Sequence, residues 1–141
     1  MWDYGPELTR PFRALKVWLS LEIFGAAAFR AAIAHGFELA RRTEAKVARM
    51  AGWRVVTPAR MGIVTFRHEP AGAATPAAID EHNTMIAAEC LRRGFAFVVT
   101  TRVRGQVALR MCTINPRTTD ADIAATVRHL GQLAAEIPVG G

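Results

Sequence analysis

The stretch Leu109-Arg110-Met111-Cys112-Thr113-Ile114-Asn115-Pro116 constrains the fold of this chain more than any other. It has the pattern of a buried β-strand, closed by Asn-Pro, with an arginine inside it. A guanidinium stays charged at any ordinary pH, and burying one without a partner costs several kcal/mol. The fold must therefore bring an anion to Arg110, either a carboxylate of the protein or one of a ligand. Within the chain the candidate partners are Asp120, Asp122 and Glu89. Strand alternation puts Arg110 on one face with Ala108 and Cys112, opposite Leu109 and Met111. The small neighbours leave room above that face for a ligand.

The chain has 141 residues, 51% apolar and 21% charged, which suits one globular domain with a real core and excludes a disordered chain. The longest apolar tract, Leu15 to Ala34, is broken by Lys16, Glu22 and Arg30, so no membrane partner is expected. Met1 to Pro6 has no basic segment leading into an apolar one, so no secretory signal is expected. Cys90 and Cys112 make no disulfide framework, and a cytoplasmic location with free thiols is the expectation. The net charge of +6 is carried almost wholly by arginine, with Lys16 and Lys46 the only lysines. No basic run exceeds the pairs Arg41-Arg42 and Arg92-Arg93, so a nucleic-acid partner is not expected. His35, His68, His82 and His129 lack metal-ligand spacing, and no metal site is expected.

Local signals divide the chain into eight elements. Thr9 can cap a first helix, with Pro11 in its opening turn. Leu15, Val17, Trp18, Leu19, Leu21, Ile23 and Phe24 make that helix apolar on most sides, and Gly25 is a break or kink. A second helix spans about Ala26 to Ala51 and is stopped by Gly52. Trp53–Thr57 and Met61–His68 read as strands linked through Pro58-Ala59-Arg60. Thr75-Pro76 starts a third helix that ends near Gly94. Phe95–Val103 and Gln106–Ile114 read as strands turned at Arg104-Gly105. Thr119 with Asp122 opens a last helix in capping-box fashion. The expected fold class is α+β: a small antiparallel sheet of about four strands with helices on one face, preceded by two long helices. Residues 1–50 form the lead-in and connecting helices, and 51–141 the small domain. The long opening helices look built to bury themselves against something outside this sequence.

Two stretches carry a resemblance. Thr9-Arg10-Pro11-Phe12-Arg13-Ala14-Leu15-Lys16-Val17-Trp18, followed by Phe24-Gly25, is similar to a Gly-Arg-Arg-Phe-Arg-x-Leu-Lys-x-Trp pattern. The Leu109 to Pro116 stretch, with Thr119 and Asp122-Ile123 beyond it, is similar to a final strand and the start of a final helix. Together they resemble the C-terminal region of the group II pyridoxal-phosphate-dependent amino acid decarboxylases, the family of the aromatic amino acid, histidine and glutamate enzymes. Thr9 stands where the family usually has glycine, and Pro11 where the aromatic branch has a second arginine.

The resemblance implies the C-terminal domain of a fold type I enzyme, with pyridoxal 5'-phosphate as cofactor and an amino acid, leaning to aromatic ones, as substrate. It implies a homodimer in the full-length enzyme. It places the Schiff-base lysine in a His-Lys motif of a preceding large domain, and no His-Lys dipeptide exists here. No catalytic and no cofactor-binding residue is therefore assigned in this chain, and the chain alone is expected to be inactive. Lys16 falls in the Leu-Lys-x-Trp helix, away from the cofactor lysine's motif. Arg110 matches the arginine that in glutamate decarboxylases meets the substrate carboxylate. A bidentate arginine–carboxylate pair sets orientation as well as position. Orientation matters in decarboxylation, because the scissile bond must stand perpendicular to the cofactor ring. Arg10, Arg13, Lys16 and Trp18 are implied to anchor the small domain to the large domain or its mobile loop. The rival expectation is a stand-alone α+β module that binds small carboxylates or mediates dimerisation.

Overall fold

The computed structural model describes residues 12–72 and 75–139. Its elements are α1 (Arg13–Val47), β1 (Trp53–Arg60), β2 (Ile63–His68), α2 (Pro76–Arg92), β3 (Val99–Val103), β4 (Gln106–Cys112) and α3 (Asp120–Glu136). The four strands form one antiparallel sheet in the order β1-β2-β4-β3. Three helices and a four-stranded antiparallel sheet are the α+β class expected from the sequence. Thr9, Arg10 and Pro11 lie outside the described residues.

The two expected opening helices follow one another within α1 and are divided by a kink at Gly25, as the sequence indicated. Gly25 sits within α1 at φ 78°, ψ 151°, a conformation open to glycine and costly for other residues, so the helix kinks there. The chain divides into two compact units between Ala31 and Ala32. In the first, Phe12, Val17, Trp18, Ile23 and Phe24 are all more than half exposed. By length and composition α1 is apolar enough to cross a membrane, with an 18-residue window of mean hydropathy 1.5. Gly25 with its non-helical backbone kinks it, and Lys16, Glu22 and Arg30 punctuate it.

In the second unit, Leu39, Ala40, Thr43 and Val47 of α1 are buried. They join a core with Val64 and Phe66 of β2, Leu109 and Met111 of β4, Ile86 and Cys90 of α2, and Ile123, Leu130 and Leu133 of α3. The helices thus cover one face of the sheet, because the apolar residues of each strand alternate onto that face. The unit includes residues 32–47, so its boundary lies inside the helix that the sequence expectation ended near residue 50.

Several boundaries differ from the sequence expectation. Pro58 lies within β1 rather than in the link, and the turn falls at Met61-Gly62, both at positive φ. An edge strand tolerates proline, and the register shifts on either side of Thr57 absorb it. β3 begins at Val99, four residues later than expected, and β4 ends at Cys112. α1 stops at Val47, and Gly52 at φ 77° follows one turn later. The expected starts of α2 and α3 hold: Thr75 Oγ1 accepts the Ala78 N–H, and Thr119 and Asp122 form a reciprocal capping box.

Candidate functional site

Arg110 lies on the sheet face turned away from the helices. Leu109 and Met111 go into the core, while Arg110 and Cys112 are exposed, as alternation requires. The expectation of a buried arginine that must find an anion is corrected here. Arg110 is in water, so it needs no internal partner. The three acids weighed as partners are committed elsewhere. Asp120 faces Arg42 and Lys46, each at 3.7 Å. Asp122 caps α3 through Thr119, and Glu89 pairs with Arg92 and Arg93. Among the described residues no ion pair involves Arg110.

The register places Thr65 of β2 directly opposite Arg110, with Val99 opposite on β3. Thr65 is nearly buried, and its hydroxyl is fixed by the Thr57 N–H and the Thr57 hydroxyl. Ala108 is buried beside the arginine. The result is a free guanidinium on a rigid four-stranded platform, with short side chains around it. Such a group suits recognition of a carboxylate brought from outside.

Among the described residues the buried arginine is Arg67, which the sequence reading did not single out. It is the largest fully buried side chain among them, at 2% exposure. The β2–β4 ladder runs from Ile63 opposite Cys112 to Phe66 opposite Leu109. Beyond it the Asp80 carboxylate, from α2, accepts the Val107 N–H at 3.0 Å and Arg67 Nη2 at 3.1 Å. Glu69 Oε1 lies 3.3 Å from Arg67 Nε and is itself bonded to Arg54. A chain of alternating charge, Arg54–Glu69–Arg67–Asp80–Arg102, therefore crosses one end of the sheet. Arginine at alternating strand positions was a visible signal at both Arg67 and Arg110. Which of the two is covered depends on where the strands separate.

Arg13, Lys16 and Trp18 are exposed on the first half of α1. Among the described residues no group of three or more metal-ligating side chains exists. His35 bonds the Thr118 carbonyl, His129 stacks on Phe95, and His68 and His82 bond each other. Both cysteines are free, and burial pushes the Cys90 thiol up. A groove of about 420 Å³ between α2 and the end of α3, lined by Met85, Arg92, Arg93 and Glu136, lies on the helical side, away from Arg110.

No family model matches the chain. Among characterised proteins it is 47% identical over 137 residues to an aromatic-L-amino-acid decarboxylase of Bacillus atrophaeus, covering 97% of this chain and 28% of that one. It is 31% identical to an L-2,4-diaminobutyrate decarboxylase of Acinetobacter baumannii, over 93% of this chain and 24% of the relative. Its fold superposes on the structure of Oryza sativa TDC with PLP and tryptamine at a TM-score of 0.85, with 26% identity, 95% of this chain and 29% of that one. The chain corresponds to the C-terminal region of the group II pyridoxal-phosphate-dependent decarboxylases. It spans about a quarter of the length of the relatives it matches.

Neither lysine of the chain has the surroundings of a Schiff-base lysine. Of its two lysines, Lys16 is exposed on the first half of α1, and Lys46 faces Asp120. A Schiff-base lysine needs a desolvated or cation-crowded setting, and neither position supplies one.

Proposed function

We propose that this chain forms the C-terminal domain of a pyridoxal-phosphate-dependent amino acid decarboxylase, acting on aromatic L-amino acids, and is inactive alone. Arg110 binds and orients a substrate carboxylate. The observation that carries this reading is the exposed guanidinium on β4, ringed by small side chains and without an acidic partner among the described residues. The likeness to the Bacillus atrophaeus enzyme, together with Phe12 and Arg13 at the start of the opening helix, supports the aromatic branch. The cofactor, the reactive lysine and most of the substrate pocket belong to the large domain in this reading. That domain also covers the exposed apolar side chains of Phe12 to Phe24, and Arg10, Arg13, Lys16 and Trp18 anchor to it. The working form is a cytoplasmic homodimer, with neither membrane nor nucleic acid as partner.

Three measurements test this. The chain alone, mixed with pyridoxal phosphate and trapped with borohydride, is expected to give no single-lysine adduct and no carbon dioxide from aromatic amino acids. Stable labelling of one lysine with turnover would overturn the reading. In a polypeptide that joins this segment to a large domain bearing a His-Lys motif, Arg110→Ala is expected to lower kcat/KM by about a hundredfold. An unchanged kcat/KM removes Arg110 from the site. Tight calorimetric binding of amino acids to the chain alone would favour the stand-alone binding module instead.

A further inference from the structure

His68 ends β2 and His82 lies on the second turn of α2, and the two rings meet nitrogen to nitrogen. His68 Nδ1 is 2.9 Å from His82 Nε2, and the ring centroids are 5.1 Å apart. That separation is what two imidazoles require when placed end to end across such a bond. The lone pairs point at each other, whereas a shared metal would need them to converge on a third point. The pair is therefore a hydrogen bond with one proton inside it.

Its surroundings fasten a helix to a hairpin. The Asn83 side chain accepts the His68 N–H at 2.9 Å and donates to the His68 carbonyl at 2.8 Å, so backbone and ring of His68 are both held by α2. His82 is 1% exposed, and its Nδ1 has no hydrogen-bond partner among the described residues. The Trp53 ring of β1 lies 5.2 Å from the His68 ring. A side chain at Gly52 would come within 2.9 Å of His68 Nε2, so glycine is what keeps that edge of the ring clear.

The protons can be counted. The neutral pair holds one N–H in the bond. One more proton fits on the outer edge of His68, leaving its Nδ1–H donating to His82 Nε2. A further proton would have to occupy His82 Nε2 and face the Nδ1–H of His68 across the same gap. The bond must then break, with one charge stranded in the core. Among the described residues no acid pairs with that charge. Trp53 from β1 and Asn83 from α2 are uncharged, and the Pro138 backbone beyond α3, which favours a charged His82, is outweighed by burial. The charges flanking His68 in sequence are engaged elsewhere: Arg67 with Asp80 and Glu69, and Glu69 with Arg54. Glu81, beside His82, is exposed and in no ion pair among the described residues.

We propose that the His68–His82 pair is an acid-operated latch between α2 and the β1–β2 hairpin, which tolerates one added proton and opens on the second. Burial holds both rings below the ordinary histidine range, and the neighbouring charge of His82 adds to this at His68. The unfolded chain therefore binds more protons than the folded one between those lowered values and the ordinary one, so acid favours opening.

The test is an imidazole titration by nitrogen NMR on the full chain, from neutral pH to about pH 4, with amide hydrogen exchange read in parallel. The two rings are expected to titrate as a coupled pair in separated steps. In the second step the His68 amide and the helix amides from Asn83 to Ala87 lose protection about tenfold per pH unit, as one proton taken up on opening requires. His68→Gln keeps an amide beside His82 without a second titrating ring, and it should weaken the acid-dependent loss by removing the clash of two protons in one gap. Should that variant not fold, His82→Gln carries the same expectation. Independent titration of both rings near the ordinary histidine value would overturn the latch. So would an unchanged acid opening in either glutamine variant.

Discussion

Replacing Asp80 tests the account of the buried arginine most sharply. Arg67 is 2% exposed, and Asp80 Oδ1 is the only oxygen with which it makes a well-formed hydrogen bond among the described residues. The same oxygen satisfies the Val107 N–H. Asp80→Ala strands a buried cation, which costs about 3–5 kcal/mol. It also strands the Val107 amide, which costs about 1–3 kcal/mol. Asp80 is itself 21% exposed, so water enters the gap and relieves part of this, and Glu69 stays 3.3 Å from Nε. The net expectation is a loss of about 4 kcal/mol, a large share of the stability of a domain this size. Arg67→Met removes the charge together with its need for a partner and fills similar volume, so it should cost about 1 kcal/mol. Adding Arg67→Met to Asp80→Ala should recover stability relative to Asp80→Ala alone. Arg110→Ala, on the exposed face, should stay within about 0.5 kcal/mol of the parent. Urea unfolding of the full chain followed by circular dichroism gives each value, with an unchanged m-value as the check that two-state unfolding is retained. An Asp80→Ala loss below about 1 kcal/mol, or strict additivity in the double variant, would refute the argument.

Gly36→Ala places a Cβ 2.7 Å from the Thr113 carbonyl, where Thr113 Oγ1 already binds the Gly36 carbonyl at 2.7 Å, so α1 must retreat from β4. The expected loss is about 1–3 kcal/mol, and an unchanged thermal midpoint would show that the close approach is absent. Hydrogen bonds from Arg92 and Arg93 hold the Glu89 carboxyl down to about 2. Since this lies below the ordinary glutamate value, its stabilising contribution is complete above that value and is lost as the pH falls through about 2. Carboxyl-carbon NMR should find that midpoint, and one in the ordinary range would break the assignment.

Much of the architecture was legible because its causes are local. Thr75-Pro76 and the Thr119/Asp122 box mark helix starts through bonds spanning three residues. Arg104-Gly105 marks a turn through positive φ at both positions. Alternation in β4 placed Arg110 with Cys112 and against Leu109 without any tertiary information. Less legible was the edge strand, where Pro58 reads as a link yet sits inside β1, because the sheet leaves that side of the strand unpaired.

From the sequence alone came the strand faces, the helix starts, the kink at Gly25 and the family likeness, since each rests on neighbours along the chain. Only the tertiary structure decided which arginine is buried. Periodicity says that Arg67 and Arg110 each point off the sheet, but covering a face requires a distant element to arrive there. α2 delivers Asp80 to the end of the β2–β4 ladder and closes over Arg67, while nothing among the described residues covers Arg110. The same long-range packing brings His82 to His68 across 14 residues of sequence, a meeting that no local pattern encodes.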